Sequence, residues 1–403
     1  MRLALALAFA SVLAGPAQEV PFESPEFGLR LKIPAGWSVG TADGATILKL
    51  SRAGQRPFAA EIVVQNLNFI EEHITVGQYR EQFRQFIQRQ YADPRILDDK
   101  ASSVGGKPCH AFTWAWKAKD GPAVNARAFV EISPMRLVSV ELGAPKEMED
   151  AAKTWDALLA SIEFFPRKPP DGTEERLKLF AEAAGKMPAT EAGFARKTEL
   201  DYALGDQNVG SYSQQMKAAT RDGAAGIELT TADVIDLGPN GRLERRSSVF
   251  VSDDLAKQRA DVEVVHRSKE RRVQYFTSSV ALDGADVTAE RRLNGEKTSA
   301  KLKVPERTVI SDALEAVEFR LLAGGKAPMM SVPVLEAFDN DVQYARVEHT
   351  GEYEMKAPAG GLAKVQVLVV ARDTGIVTYW FDPAKKIIRR SVAGGNVVLQ
   401  ERK

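Results

Sequence analysis

The sequence predicts an α+β fold: an N-terminal antiparallel sheet with two covering helices, then a larger, mostly antiparallel β domain, a bent sheet or partial barrel with one or two short helices. Three observations carry this. Period-two alternation recurs from end to end, two helical stripes both fall before Phe165, and a proline-rich segment separates that region from a second half punctuated by turn dipeptides. At 403 residues the chain exceeds one ordinary core, so two domains are expected at about 100–200 residues each.

The first domain is placed at residues 20–165. Phe27, Leu29, Leu31 and Ile33 alternate with Gly28, Arg30 and Lys32, the pattern of a half-buried strand, and Pro34, Ala35 and Gly36 turn the chain before Trp37. Further strands are expected at Thr46 to Leu50, Ala60 to Leu67, Cys109 to Lys117, Val124 to Ile132 and Leu137 to Leu142. Thr75 and Gln78 have capping-box spacing, and Tyr79, Phe83, Phe86, Ile87 and Tyr91 form the stripe of a first helix that Pro94 ends. Pro145 suits the first position of a second helix, whose apolar face is Met148, Trp155, Leu158, Leu159 and Ile162.

The run Pro166, Arg167, Lys168, Pro169, Pro170, Asp171, Gly172 reads as a linker, with Thr173 expected to cap a short helix through Leu177 and Phe180 inside a connecting segment placed at 166–190. The β-rich domain is placed at 191–403. Asp222-Gly223, Asn240-Gly241, Asp283-Gly284 and Asn294-Gly295 are hairpin signals between strands such as Thr198 to Leu204, Gly226 to Asp236, Arg242 to Val251, Arg272 to Val280, Val342 to His349, Lys364 to Ala371 and Ile376 to Phe381. One helix is expected from Asp312 to Leu321, with Asp312 and Glu315 in capping-box spacing.

Composition narrows the function classes. Lys plus Arg and Asp plus Glu both number 54, so no net field favours nucleic acid or an anionic membrane. Arg2, the apolar run Leu3 to Ala14 and the small residues Gly15, Pro16 and Ala17 read as a signal peptide of residues 1–17. That run is shorter than the roughly 20 apolar residues a membrane helix needs, and no later run reaches that length, so a secreted or periplasmic, monomeric protein without a membrane span is expected. Cys109 is the sole cysteine, which leaves stability to burial rather than to an intramolecular disulfide. A bacterial source is favoured.

Over Phe27-Gly28-Leu29-Arg30-Leu31-Lys32-Ile33-Pro34-Ala35-Gly36-Trp37, and in its order of strands and helices up to about residue 165, the chain resembles the PsbP-like α/β sandwich family. That resemblance implies a fold and a tendency toward protein partners, with no common active site. The segment from Glu348 through Thr350-Gly351-Glu352, Lys364-Val365-Gln366-Val367 and Tyr379-Trp380-Phe381-Asp382-Pro383 to Ile387-Ile388-Arg389-Arg390 resembles an uncharacterised family of periplasmic β-rich proteins similar in architecture to lipoprotein carriers of the LolA and LolB type. It implies an apolar concavity.

No residue is assigned a catalytic, cofactor-binding or metal-binding role, and no cofactor is implied. Cys109 and His110 are the residue types of a nucleophile and base, but neighbours on a strand point to opposite faces, so a buried structural cysteine is the better reading. His73, His266 and His349 have no second ligand at zinc-site spacing. Asp339-Asn340-Asp341 begins like a calcium loop but has Tyr344 and Thr350 where Gly and Glu are required. The pairs Arg245-Arg246, Arg271-Arg272, Arg291-Arg292 and Arg389-Arg390, each split between the faces of its strand and interleaved with Glu244, Glu270 and Glu290, read as a solvated, charge-laced sheet. Trp114 and Trp116 share a strand face, and Tyr379, Trp380 and Phe381 end another; core packing is preferred to a stacking platform.

The functional expectation is a non-catalytic binding or scaffold module of the cell envelope, with a protein partner or a lipid-like ligand. The competing expectation is a secreted hydrolase whose carboxylates converge from distant strands, which requires at least two acids meeting in a cleft.

Overall fold

Alternating apolar side chains need a partner surface, and in the computed structural model those of Leu29–Ile33, Gln207–Arg221 and Lys257–Arg267, among others, pack into cores. Described are residues 18–41, 46–52, 60–68, 76–119, 121–133, 136–146, 148, 150–169, 172–204, 207–236, 241–267, 273–323, 329–338, 340–356, 362–372, 375–382, 387–392 and 397–401. The signal-peptide residues 1–17, His73, Thr75, Asp339 and the Arg271-Arg272 pair lie outside them.

The N-terminal elements are β1 (Val20–Ser24), β2 (Leu29–Ile33), β3 (Ser38–Val39), β4 (Thr46–Arg52), β5 (Ala60–Asn68), α1 (Val76–Gln90), β6 (Arg95–Val104), β7 (Lys107–Ala118), β8 (Gly121–Ser133), β9 (Arg136–Pro145), α2 (Ala151–Ser161) and β10 (Glu163–Phe164). Among the described residues they form a seven-stranded antiparallel sheet, ordered β3-β4-β5-β9-β8-β7-β6, and a small sheet β1-β2-β10. One core contains Leu29 and Leu31 of β2, one face of the larger sheet, and Trp155 and Leu158 of α2. On the other face, Phe83 and Ile87 of α1 pack on Phe112, Trp114 and Phe129.

The remaining elements are α3 (Thr173–Ala184), β11 (Ala195–Leu204), β12 (Gln207–Arg221), β13 (Ala224–Asp236), β14 (Arg242–Ser252), β15 (Lys257–Arg267), β16 (Val273–Asp283), β17 (Asp286–Leu293), β18 (Glu296–Lys303), β19 (Val309–Ile310), α4 (Leu314–Ala323), β20 (Met330–Leu335), β21 (Val342–Lys356), β22 (Leu362–Arg372), β23 (Gly375–Phe381), β24 (Ile387–Val392) and β25 (Val397–Glu401). Their strands make one sheet, ordered β18-β17-β16-β15-β14-β13-β12-β11-β25-β24-β23-β22-β21-β20-β19, antiparallel except where β19 meets β20. Asp222-Gly223 and Asn294-Gly295 have positive φ at both residues, as the tight turns that suit the strand twist require.

Such a long sheet curls, as strand twist dictates, and its β19–β20 end tucks against the opposite half. Gln258 of β15 donates to Thr308 O at 2.7 Å and accepts from Ile310 N at 3.0 Å. β20, inside the curl, is buried at all six positions, MSVPVL. The parallel β19–β20 pair needs a crossover, and α4 supplies it. From Ala316 to Leu321 every α4 residue is buried, so the helix runs through the interior of the spiral. Helix α3 packs beside β20, with Phe180 and Ala184 in the same core and Arg176 Nε donating to Ser331 Oγ at 3.1 Å.

Several local expectations need correction. Pro145 ends β9, and α2 starts at Ala151, because Pro145 pairs with Ala123 across the sheet; Met148 and Ile162 flank the helix and still join its core. Thr173 is the first residue of α3, after Gly172 at positive φ. Ser311–Ala313 form a 3-10 turn before α4, and the carboxylates of Asp312 and Glu315 reach across to the sheet. The sequence did not single out β12, β15 and β17, whose inward faces carry polar residues such as Gln214, Gln258, His266 and Arg291, nor β6 and β18, exposed along most of their length, nor β20, buried on both faces. Among the described residues no helix is long and apolar enough to cross a membrane.

Candidate functional site

The inward face of the spiral is apolar with a polar collar around α4. Along β12, Tyr212, Gln214 and Met216 face inward, and along β14 Leu243, Arg245, Ser247 and Val249 do, so each strand places polar groups within an apolar stripe. At the start of α4, Glu315 accepts from Tyr212 Oη at 2.7 Å, from Gln214 Nε2, and from Tyr379 Oη at 3.4 Å. Gln214 also donates to Tyr212 Oη at 2.8 Å. One turn earlier, Asp312 Oδ1 lies 2.5 Å from Arg245 NH2, with side chains 5% and 17% exposed. Asp233, opposite Arg245 in the sheet, accepts from Tyr202 Oη at 2.5 Å. Thr231 and Ser247 hydroxyls meet at 2.7 Å.

The other end of α4 is held by Arg320. Its NH2 donates to Pro188 O at 2.9 Å and Asp253 O at 3.0 Å and lies 3.2 Å from Asp253 Oδ1. Burial works against the guanidinium charge and lowers its pKa, while Asp253 and Asp254 oppose that shift. Acidic side chains at the first turn also match the positive end of the helix dipole. The carboxylates of Asp312 and Glu315 thus act as acceptors for a cation and for tyrosine and amide donors that fasten the helix.

A second cluster lies under α1. Asp99 of β6 takes a fork of hydrogen bonds from Arg80, at 2.8 Å from Nε and 2.9 Å from NH2, and lies 2.6 Å from His110 Nε2. The Arg80 hydrogen bonds, helped by His110 and opposed by burial, hold the Asp99 carboxyl down at about 2. His110 shares its face with Phe112, 5.0 Å between ring centroids, whereas Cys109 packs in the opposite core and its thiol is pushed up by burial. The two neighbours therefore point apart. Trp114 is fully buried against Phe83 and Tyr91, and Trp116 donates to Asn125 Oδ1 at 2.8 Å. Arg127 lies over the Phe83 and Phe129 rings at 5.1 and 5.2 Å.

The arginine pairs need a further correction. In the Arg245-Arg246 and Arg291-Arg292 pairs alternation sends Arg245 and Arg291 into the curl, where they meet internal partners and are not solvated, while Arg246 and Arg292 face out. Asn340 and Asp341 both meet arginines: Asn340 Oδ1 accepts from Arg291 NH1 at 2.5 Å, and Asp341 lies 2.9 Å from Arg167 Nε. Tyr379 and Phe381 belong to the interior core, and His266 is buried on the inward face of β15. Among the described residues no group of three or more His, Cys, Asp or Glu stands in a metal-holding arrangement. Sequence reasoning missed the collar and the Arg80–Asp99–His110 cluster. A polar residue inside an apolar alternation, such as Gln214 or Arg245, was the available signal.

No protein-family model matches the chain, and no curated protein matches its sequence. Among solved structures it is similar to PsbP of Synechocystis at 11% identity, over 39% of this chain and 99% of that one, with a TM-score of 0.30. It is also similar to LpqN of Mycobacterium tuberculosis, described as involved in cell envelope biogenesis, at 12% identity over 37% and 91%, TM-score 0.31. A third likeness is to a β-barrel-like domain of unknown function from Brucella abortus, at 10% identity over 53% and 97%, TM-score 0.36.

Proposed function

We propose that this chain is a secreted or periplasmic, non-catalytic scaffold module of the cell envelope that meets a protein partner. The observation carrying this reading is that the spiral is filled by its own helix, buried from Ala316 to Leu321 and fastened at both ends. An interior occupied in this way favours a rigid frame over a receptacle for lipid. The hydrolase reading would draw on Asp312 and Glu315, whose engagement with Arg245, Tyr212, Gln214 and Tyr379 favours a role in holding α4.

The test is native mass spectrometry of the mature chain purified gently from its own envelope, alongside the same sample after unfolding and refolding. A mass equal to the bare chain in both samples supports the scaffold. A co-purifying lipid-sized mass that disappears on refolding overturns it in favour of an apolar-ligand carrier, in which α4 must move aside.

A further inference from the structure

The turn between β20 and β21 makes two sets of contacts that no local pattern requires. On one side it closes the spiral. Ala337 O accepts from Arg291 Nε of β17 at 2.9 Å and from Ser278 Oγ of β16, and Asn340 Oδ1 accepts from Arg291 NH1 at 2.5 Å. Both donors are buried, and both stand near the far end of the sheet from β20. Ala337 and Phe338 are themselves part of the interior core.

On the other side, the next residue reaches the N-terminal sheets. Asp341 Oδ2 lies 2.9 Å from Arg167 Nε and 3.8 Å from Arg136 NH1, whose side chains are 5% and 3% exposed. Arg136 is tied in turn to Asn66 Oδ1 and Phe27 O, each at 2.7 Å. The Arg167 segment is stitched to the turn before β2, since Phe165 N donates to Gly28 O and Lys168 N to Pro25 O, each at 2.9 Å. Desolvated guanidinium groups without their carboxylate are costly, so Asp341 is held wherever the N-terminal sheets hold those arginines.

We propose that Ala337, Asn340 and Asp341 form a relay which couples the seating of the N-terminal sheets to the closure of the spiral. Asn340 and Asp341 are adjacent, so a shift of Asp341 by the length of an ion pair also draws Asn340 away from Arg291. A partner that displaces the N-terminal sheets therefore loosens the β16–β17 clasp, and loosening the clasp releases the sheets, because coupling between two sites is reciprocal. This goes beyond the scaffold reading: it concerns the partner-free chain and holds whether or not a ligand enters the spiral.

The test is hydrogen–deuterium exchange on the full chain, using Asp341→Asn, which keeps the side-chain shape, and Asn340→Ala. Asp341→Asn should speed exchange of the β16–β17 amides, and Asn340→Ala that of the Phe165 and Lys168 amides, each by about fivefold or more. The β7–β8 amides should keep their wild-type rates. Faster exchange confined to the mutated side of the turn overturns the relay. So does a uniform acceleration that includes β7–β8, which would report general unfolding. Because no partner or lipid is present, failure here is separate from failure of the mass-spectrometric test.

Discussion

Replacing Arg245 by Met removes the cation from Asp312 while keeping a long apolar side chain inside the spiral. The pair is 2.5 Å apart, and Asp312 is only 5% exposed, at a 3-10 turn wedged between β19 and α4. Stripping a buried ion of its partner costs about 3–5 kcal/mol, and the partial exposure of Arg245 places the loss near the lower figure. With urea m-values of about 1–3 kcal/mol per molar, the midpoint should fall by about 1–3 M. Far-UV circular dichroism is the right observable, because four of the five tryptophans, all but Trp380, lie before Phe165. The double variant Arg245→Met with Asp312→Leu should recover most of the loss, since both charges are then gone. A single variant whose midpoint stays within about 0.3 M of wild type would refute the reading of Arg245 as the counter-ion of a desolvated Asp312.

The other predictions concern the N-terminal half. Asp99 is held at about 2 against an ordinary 3.8. Its contribution is complete above that ordinary value and is lost as pH falls through the folded one, so acid titration of stability below pH 3.8 should be steeper in wild type than in Asp99→Asn. Cys109, 3% exposed and with its thiol pushed up by burial, should resist a thiol reagent in the native chain and react fully once urea is added; rapid native labelling contradicts the packing described. Gly28 has φ +62°, and an added Cβ would clash with Phe165 O. Gly28→Ala should destabilise by about 1–3 kcal/mol, read as a lowered melting temperature, and an unchanged melt would contradict the docking of Phe165 on that turn.

Much of the architecture was legible because it is written in local periodicity. Leu29, Leu31 and Ile33 announce a strand wherever they stand, Phe83 and Ile87 a helix face, and Asn294-Gly295 a tight hairpin. The alternation that separates Cys109 from His110 is equally local. Strand β12 was less legible, because Gln214 interrupts the apolar stripe between Tyr212 and Met216, and only the curl shows that Glu315 waits opposite it. Pro145 misled because its residue type suits a helix start, while cross-strand pairing with Ala123 keeps it in β9.

What the sequence by itself determined is therefore the kind and order of elements: alternation chooses strand, a 3.6-residue stripe chooses helix, and positive-φ residues choose the turns. What only the tertiary structure decided is which polar side chains meet. Arg245 and Asp312 are 67 residues apart, Tyr212 and Glu315 are 103, and Asp341, just before β21, finds Arg167, just after β10. Those meetings depend on how far a long sheet twists before its end folds inside, a sum over many strands that no short stretch of sequence encodes.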